Sequence, residues 1–494
     1  MHIAFINPQG NFDPQDRYWT EHPDFGGQLV YVKEVSLALG RMGHQVDILT
    51  RRIVDPEWPG FEETLDAYPG EKNVRIVRLP CGGDRFLRKE ELWPYLGSEW
   101  VPNILKFYAE EKGIPEAATA HYGDGALSGA LLKREMNIPY TMTGHSLGAQ
   151  KMDKLGVTRD NLAAIDARFH FARRIVAERV GMNHASRIIT STTQERMEQY
   201  GHPAYRGAVD TRDDERFTVV PPGVNLRIFS PDLGADDVKV QRRIKAAMIR
   251  DIAQVRRQLP LVIASSRLDA KKNHVGLVRA FIHNQDLRAR ANLAIVVRGL
   301  QDPLHRYDAL SVGEKAIMDE ITELMAAHNL WGKIVAFPLD SQAELAAAYR
   351  YLAQRRSVFA LTALYEPFGL APLEAMSCGL PAVVTKNGGP SESMWEGAQE
   401  FGVLVDPADP DDVARGLLRV IKSERVWNYF HRAGMERVLS RYTWERTAEG
   451  YLRVIESLLA GKGHTGDLEI PAYFFQPDQD ISLSDLEALY FEAV

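Results

Sequence analysis

Short apolar runs recur along this chain, and segments whose apolar residues keep a helical spacing lie between several of them. In the first half the runs cover residues 2–8, 45–50, 74–79, 117–121, 139–144 and 187–192. In the second half they cover residues 261–268, 293–299, 334–338, 358–361, 381–385 and 403–405. Strands that alternate with helices predict two mostly parallel, doubly wound sheets, which is the α/β fold class.

The number of domains follows from length and from one change of pattern. A chain of 494 residues exceeds what a single hydrophobic core usually supports, so two domains are expected. The run at 218–225 ends in a proline turn and leads into a linker-like stretch, a change that marks domain boundaries. The sequence therefore predicts a first domain over 1–230, a second over 231–442, and a terminal helix with a tail over 443–494.

Composition excludes several classes of partner. The formal net charge is −7 and 45% of the residues are hydrophobic, so a globular protein without a global basic field is expected. Nucleic acid and acidic membrane surfaces are therefore not expected as partners, and any phosphate site must be local. Cys81 and Cys378 form no disulfide framework, which favours a reducing cytoplasm. Because the chain opens on a strand and has no long apolar run, we expect neither a signal peptide nor a membrane segment.

Two carboxylates flank a turn in the stretch TALYEPFGLAPLEAMSCGLP (362–381). A strand that turns through Gly369 into a helix points the first helical amides at a ligand above the sheet edge, where phosphates bind readily. Glu366 would lie in the turn and Glu374 about two helical turns further on, so both could face one crevice. This arrangement suits a sugar nucleotide, although acidic residues near a helix start equally well complement the helix dipole.

A glycine pair and three cations stand out in the first half. Gly26 and Gly27 open a helical segment where backbone could approach a ligand closely, although such pairs are also ordinary turn geometry. Lys89, Lys151 and Arg174 lie near predicted strand ends. Together the planar guanidinium of the arginine and the ammonium groups of the two lysines could bind a sugar phosphate. Taken singly, each cation is more often a solvated surface residue.

A second cationic segment, RLDAKKN (267–273), follows the first strand of the second half. Preorganised cations at a strand end can neutralise a departing nucleotide without solvent reorganisation, and this segment contains Arg267, Lys271 and Lys272. A basic cap on a surface loop is the alternative interpretation. Phe337 and Leu339 lie at another strand end, where an apolar wall could accept a nucleobase or where Phe337 could pack in the core.

These motifs resemble those of a known family. Glu366, seven residues and Glu374 match the paired glutamates of retaining GT-B glycosyltransferases, and EPFGLAPLEAMSCGLPAVVTKNGGP (366–390) resembles the sucrose synthase and sucrose-phosphate synthase branch, in glycosyltransferase family 4. HPDFGGQLVYVKEVSLAL (22–39) and GHSLGAQKMDKL (144–155) resemble the acceptor domain of bacterial sucrose-phosphate synthases. The resemblance covers about residues 1–461 and implies two Rossmann-like domains facing each other across a cleft, with the C-terminal helix crossing back to the first.

The resemblance also implies residue roles, position by position. The residues that would bind fructose 6-phosphate are Gly27, Gln28, Lys89, Ser146, Lys151 and Arg174. Those that would bind UDP-glucose are Gly27, Arg267, Lys272, Leu339, Glu366, Phe368, Gly369, Leu370 and Glu374. Those expected to carry catalysis are Glu366, Arg267, Lys272 and His145, because His145 matches a histidine whose carbonyl and ring orient the donor glucose.

The implied reaction transfers glucose from UDP-glucose to fructose 6-phosphate, giving sucrose 6-phosphate and UDP with retained configuration. Two alternatives stay open within the family: a mannosylfructose-phosphate synthase using GDP-mannose, and a sucrose synthase using free fructose. A catalytically silent sugar-nucleotide-binding homologue is the alternative outside the enzyme class. A separate sucrose-phosphate phosphatase is expected to act on the product.

Metal dependence is a separate question. Metal-using glycosyltransferases carry an Asp-x-Asp pair, and Asp409-Pro410-Asp411 matches that pattern. The pair opens an apolar-periodic helix, so a capping role is favoured. We expect no catalytic metal and no required cofactor, with Mg²⁺ at most a non-catalytic activator.

Overall fold

The computed structural model describes residues 1–9, 11–18, 26–476 and 481–492. It divides into two compact units, the first of Met1–Pro222 with Trp444–Val494 and the second of Gly223–Thr443. The predicted domain boundary at residue 230 falls inside the second unit, because Val224 and Phe229 are buried in its core. The backbone N–H of Val224 also donates to Tyr442 O at 2.8 Å within that unit.

The first unit is built on a mostly parallel sheet. Its strands are β1 (His2–Ile6), β2 (Gln45–Arg51), β3 (Leu65–Asp66), β4 (Val74–Leu79), β5 (Ala117–His121), β6 (Tyr140–Thr143), β7 (Arg187–Thr190) and β8 (Phe217–Val219). Across the described residues their order is β3-β4-β2-β1-β5-β6-β7-β8, and the β3–β4 pair is antiparallel. The order reverses between β1 and β5, and open α/β sheets bind ligands above the carboxyl ends of strands at such a point.

Helices pack on both faces of this sheet. They are α1 (Gly27–Arg41), α2 (Trp93–Tyr95), α3 (Val101–Glu111), α4 (Tyr122–Met136), α5 (Gly148–Lys154), α6 (Leu162–Phe169) and α7 (Phe171–His184). Shorter helical turns occupy Lys89–Glu91, Leu96–Trp100, Glu195–Tyr200 and Pro203–Tyr205. Side chains alternate between the faces of β1, so Ala4 and Ile6 enter one hydrophobic core while Ile3 and Phe5 enter the other.

The second unit repeats this plan. Its strands are β9 (Leu261–Ala264), β10 (Asn292–Val296), β11 (Ile334–Phe337), β12 (Val358–Leu361), β13 (Ala382–Thr385), β14 (Trp395–Glu396), β15 (Gln399–Glu400) and β16 (Val403–Val405). Its helices are α8 (Asp237–Asp251), α9 (His274–His283), α10 (Gln285–Arg290), α11 (Val312–Ala327), α12 (Gln342–Gln354), α13 (Leu370–Ser377), α14 (Pro390–Ser393), α15 (Pro410–Ile421) and α16 (Glu424–Arg441), with short turns at Gln254–Arg256 and Ala270–Lys272. The parallel sheet has the order β11-β10-β9-β12-β13-β16, which reverses between β9 and β12, and β14 pairs with β15 in a hairpin.

The chain then returns to the first unit. Helix α17 (Trp444–Leu459) packs on α1 and buries Trp444, Tyr451 and Ile455 in the core that contains Phe5. The tail adds a helical turn at Ala472–Phe474 and α18 (Leu483–Phe491), and Phe474 and Leu486 enter the other core of this unit. The prediction that the terminal helix crosses back is therefore confirmed.

The α/β interpretation of the apolar runs is confirmed as well. The run at 358–361 matches β12 (Val358–Leu361) without change, whereas 261–268 shortens to β9 (Leu261–Ala264) because the following residues form the loop that contains Arg267. Strands β3, β14 and β15 were not predicted, since two residues are too few to show an apolar pattern. None of the described helices combines the length and apolar composition needed to cross a bilayer.

The close packing of α17 against the residue that follows β8 generates a stability prediction. A Cβ on Gly450 would lie 2.6 Å from Cγ1 of Val220, which follows β8. Gly450→Val should therefore overpack this contact and lower the free energy of unfolding by about 1–3 kcal/mol. Glu456→Val introduces the same side chain at an exposed position of α17 and should change stability by only about 0.5 kcal/mol. Denaturant unfolding measures both, and equal losses would contradict the packing argument.

Candidate functional site

In the first unit, the amino end of α1 lies beside the residues that follow β1. The Nε2 of Gln28 donates to Asn7 Oδ1 at 2.6 Å, and its Oε1 accepts from Gln9 Nε2 at 3.1 Å. Apart from its chain neighbours and its own helix backbone, no described residue has an atom within 4 Å of the position that a Cβ on Gly27 would take. Residues 22–25 of the motif quoted above lie outside the described residues. Asn7, which the sequence did not single out, is the buried group that fixes Gln28.

The three predicted cations of this unit lie near one another. Lys151 Nζ on α5 lies 3.6 Å from Glu90 Oε1 and 4.2 Å from the ring centroid of Phe169. Burial lowers the pKa of Lys151, Glu90 opposes that effect, and the positive charges of Arg174 and Lys89 lower the pKa further. Like charges that affect one another in this way favour an anion beside them.

Arg174 is held more tightly than the two lysines. The residue is only 3% exposed. Its Nε donates to Glu178 Oε1 at 2.8 Å, and its Nη2 donates to Ser146 O at 2.6 Å. Glu178 is fully buried and also accepts from Gly148 N at 2.9 Å and from the Tyr205 hydroxyl. Glu178 thus joins α7 to the start of α5. Glu178 was not among the residues predicted from the sequence, although Arg174 and Glu178 have the i, i+4 spacing of a helical ion pair.

His145 follows β6 with a backbone φ of 55°, in the left-handed region. Its Nε2 lies 2.8 Å from Nδ1 of His121, the last residue of β5, and the edge of Tyr31 packs against it with ring centroids 5.0 Å apart. Burial lowers the pKa of His145 to about 3. Burial, and then the charge His145 could carry, lower the pKa of His121 well below its usual value. Both rings are therefore neutral near pH 7, and His121 is a second group that sequence reasoning missed.

In the second unit, the loops after β9 and β12 are tied together. Lys272 Nζ lies 2.6 Å from Glu366 Oε2, the backbone N–H of Leu364 donates to Lys271 O at 2.8 Å, and the Thr362 hydroxyl donates to Asn273 O at 3.0 Å. Two of the predicted catalytic residues therefore form an ion pair in the free protein. Arg267 is exposed and has no ion-pair partner among the described residues.

Glu366 is also fixed from its other side. Its backbone O accepts from Gly389 N at 3.0 Å, and a Cβ on Gly388 would lie 2.0 Å from that oxygen, so the close approach requires glycine. Phe368 and Gly369 follow, and Gly369 has a φ of 92° where α13 begins at Leu370. The first amides of α13 thus open beside Glu366, as the motif predicted.

Glu374 lies on α13 and is partly buried. Burial raises the pKa of Glu374 to about 7, above the usual 4.5. A carboxyl group kept in a site that disfavours its charge is a frequent mark of a functional position.

A cavity of about 240 Å³ lies within this unit, between the ends of β9, β10 and β11. Its lining includes Arg267, Arg298, Glu314, Leu339 and Gln342. Phe337 is fully buried in the core and does not line it, so the apolar wall considered above comes from Leu339 and not from Phe337. The cavity has aliphatic walls and a cation at its mouth, which suits a nucleotide.

The Asp-x-Asp pair has a structural role. Asp409 precedes α15, and its Oδ1 accepts from Asp411 N at 2.9 Å. Asp412 Oδ2 accepts from Asp406 N at 2.7 Å. The contact of Asp409 caps the helix, and the contact of Asp412 links the first turn of α15 to the residue that follows β16.

A different group could geometrically hold a cation. One ligand atom each from Asp251, Asp302 and His305 lie within 4.8 Å of one another. Arg250 Nη2 is 2.6 Å from Asp251 Oδ2, and its Nε is 3.2 Å from Asp302 Oδ1. The guanidinium already supplies positive charge to this group, which lies away from the loops of Glu366 and Arg267.

Comparison with known proteins covers most of the chain. Residues 1–246 match the family model for the first GT-B domain of sucrose synthase, and residues 247–437 match the model for group 1 glycosyl transferases. A probable sucrose-phosphate synthase of Thermosipho melanesiensis is 43% identical over 92% of this chain and 96% of the relative. The sucrose-phosphate synthase of Zea mays is 33% identical over 92% of this chain but 47% of the relative, so this chain spans about half of the plant protein.

Solved structures support the fold. A sucrose-phosphate synthase from Thermosynechococcus elongatus aligns with a TM-score of 0.62 at 24% identity, covering 93% of this chain and 99% of that one. At this level of identity the likeness concerns architecture, and it confirms the GT-B fold class.

The environment of Glu374 generates a prediction that does not depend on any ligand. Between pH 4.5 and about 7 the folded protein binds more protons at this site than the unfolded chain, so stability falls as pH rises through that window. Glu374→Gln stays neutral, and its stability relative to the wild type should rise by about 2–3 kcal/mol between pH 5 and pH 8. Denaturant unfolding at both pH values measures this, with the exposed Glu436→Gln on α16 as the control. A constant difference between the proteins would show that Glu374 ionises freely.

Proposed function

Since the chain belongs to the sucrose-phosphate synthase family of GT-B glycosyltransferases, we propose that it transfers glucose from UDP-glucose to fructose 6-phosphate, forming sucrose 6-phosphate and UDP with retained configuration. The observation that carries the choice of acceptor is the cation cluster of Lys89, Lys151 and Arg174. A phosphorylated acceptor needs such a cluster, whereas free fructose does not.

The acceptor site uses two kinds of contact. Lys151 and Lys89 supply mobile point charges for the phosphate, while Arg174 is fixed by Glu178 and shapes the loop of Ser146. Gly27 leaves room for the sugar, and Gln28, held by Asn7, offers it a rigid amide. Binding in a fixed orientation removes much of the entropic part of the barrier.

The donor site has the charges that a nucleotide leaving group requires. Arg267 is exposed at the end of β9, and Lys272 is oriented by Glu366. Both cations would stabilise the diphosphate as the bond to glucose breaks, together with the amides of Phe368, Gly369 and Leu370. Glu374 would accept hydrogen bonds from the ribose hydroxyls, and Leu339 would contact the base in the cavity. Glu366 would accept hydrogen bonds from the glucose hydroxyls. The departing phosphate would take the proton of the attacking hydroxyl of fructose 6-phosphate.

The proposed division of labour does not require a catalytic metal. Asp409 caps α15 through its Oδ1, Asp411 Oδ1 lies 3.1 Å from His283 Nδ1, and Arg267 and Lys272 would supply the positive charge that a metal would otherwise provide. We therefore propose metal-independent transfer, with Mg²⁺ at most a non-catalytic activator, and a separate phosphatase that acts on the product.

The reaction is tested with a grid of substrates. Purified protein is given UDP-glucose, ADP-glucose or GDP-mannose with fructose or fructose 6-phosphate, in the presence and absence of a chelator. We expect UDP release with UDP-glucose and fructose 6-phosphate alone, unchanged by the chelator. Turnover with free fructose would indicate a sucrose synthase, use of GDP-mannose a mannosylfructose-phosphate synthase, and no turnover a silent binding homologue.

The assignment of the two sites is tested by a pair of variants. Lys151→Ala should raise the KM for fructose 6-phosphate about 10- to 100-fold, because a charge-assisted contact is worth roughly 1.5–3 kcal/mol, with little effect on UDP-glucose. Glu374→Gln should raise the KM for UDP-glucose and spare the acceptor. Lys154→Ala, three residues further along α5 and exposed, is the matched control. Steady-state kinetics measure all three, and equal damage to both KM values in either variant would overturn the assignment.

A further inference from the structure

A line of buried hydrogen bonds leads from the interior of the first unit to His145. The Thr141 hydroxyl donates to Thr119 Oγ1 at 2.9 Å, and Thr119 Oγ1 lies 3.3 Å from His121 Nε2. His121 Nδ1 lies 2.8 Å from His145 Nε2. Thr141, Thr119 and His121 are all fully buried. Nδ1 of His145 has no hydrogen-bond partner among the described residues, and His145 is partly exposed, so this atom is available to a ligand.

The two rings constrain each other's protons. Both histidines are neutral near pH 7, so each carries one N–H. One proton must lie between His121 Nδ1 and His145 Nε2. If His121 donates it, His145 carries its own proton on Nδ1 and offers a donor to the ligand. If His145 donates it, Nδ1 is bare and offers an acceptor.

The hydroxyl of Thr119 decides between these states. It accepts from Thr141, so its single proton is free to be donated onward. The hydroxyl of Tyr451 also contacts Thr119. A phenol is a better donor than an aliphatic hydroxyl, and an imidazole nitrogen is a better acceptor than a phenol oxygen. The Tyr451 hydroxyl has other partners for its own proton, since it lies 2.7 Å from Thr143 Oγ1 and 3.1 Å from the Tyr31 hydroxyl. The favoured arrangement therefore has Thr141 donating to Thr119, and Thr119 donating to Nε2 of His121, the better of its two possible acceptors.

We propose that His121, oriented by Thr119, is a positioning residue that holds His145 as its Nδ1–H tautomer, so that the ring presents a hydrogen-bond donor to an oxygen of the sugar substrate. The identification of this ligand as a sugar rests on the proposed function. The proton arrangement itself is a property of the free protein. A neutral imidazole in water prefers the Nε2–H form, so the tautomer at His145 depends on its partner.

Packing holds the rings of His121 and His145 in the orientation that the hydrogen bond between them requires. Phe5 stacks on His121 at a centroid distance of 5.4 Å with an angle of 8° between the planes, and Tyr31 packs its edge against His145. These contacts hold the ring planes, while the hydrogen bonds fix which nitrogen carries the proton. A variant that keeps the packing but removes one hydrogen bond therefore separates the two effects.

The first experiment reads the tautomer directly. Protein labelled with ¹⁵N in its histidines is examined without ligand at pH 7 by long-range ¹H–¹⁵N correlation spectroscopy, and the His145 signals are identified by their loss in His145→Gln. We expect a pyrrole-type nitrogen at Nδ1 and a pyridine-type nitrogen at Nε2. The reverse pattern would overturn the proposal.

Two variants test the cause. His121→Phe keeps a ring on Phe5 and should convert His145 to the Nε2–H form. Thr119→Val is nearly isosteric and should weaken the preference, giving a mixed or reversed pattern. Thr190→Val is the matched control, since Thr190 is buried in β7 and its hydroxyl has no partner among the described residues. A wild-type pattern in both His121→Phe and Thr119→Val would show that His121 does not set the tautomer.

Kinetics then link the tautomer to catalysis. His121→Phe should lower kcat/KM about 10- to 100-fold, the loss expected when one hydrogen bond in the transition state is removed, and Thr190→Val should not change it. Unchanged turnover despite a switched tautomer would overturn the role in presenting a donor to the sugar. If the substrate grid showed no reaction, the proposed function would fail while the spectroscopic result still decided the proton arrangement.

Discussion

Parallel strand pairing is the constraint on which the rest of this structure depends. Because β1, β5 and β6 run in one direction, the residues that follow them all emerge at one edge of the first sheet. The same holds for β9, β12 and β13 in the second sheet. Residues far apart in sequence, such as Lys272 and Glu366, come within hydrogen-bond distance through this directionality. Loops at these edges can change in chemistry while the strands and helices beneath them keep their packing.

The loops need a second device, which is the satisfaction of buried polar groups. Glu178 satisfies Arg174, the amide of Gly148 and the hydroxyl of Tyr205 at once. Asn7 does the same for Gln28 from the end of β1. Each group would be costly to bury alone, and each is paired with a residue assigned to ligand binding. These contacts therefore fix the geometry of the site, and for Glu178 they also offset the cost of burying a carboxylate.

Not every group in the site is satisfied in the free protein. Arg267 is exposed without an ion-pair partner among the described residues, and burial raises the pKa of Glu374 to about 7. Burial, and then the positive charges of Arg174 and Lys89, lower the pKa of Lys151. Such residues contribute little to folding or oppose it, and under the proposed function a bound substrate would supply anionic groups for the two cations and hydroxyl donors for Glu374. Stability given up at a few positions is a common feature of active sites.

The sequence by itself determined the fold class, the positions of the long strands along the chain and the paired glutamates, because apolar periodicity and short motifs are local properties. It also determined the candidates Lys89, Lys151 and Arg174, but not that they lie together. Residues such as His121, Glu178 and Asn7 escaped it, since each acts through a partner that only tertiary contacts bring near. The domain boundary moved for the same reason, as Val224 and Phe229 belong to the core they pack in. Only the tertiary structure could decide these points, because hydrogen bonding and burial depend on neighbours in space and not on neighbours in the chain.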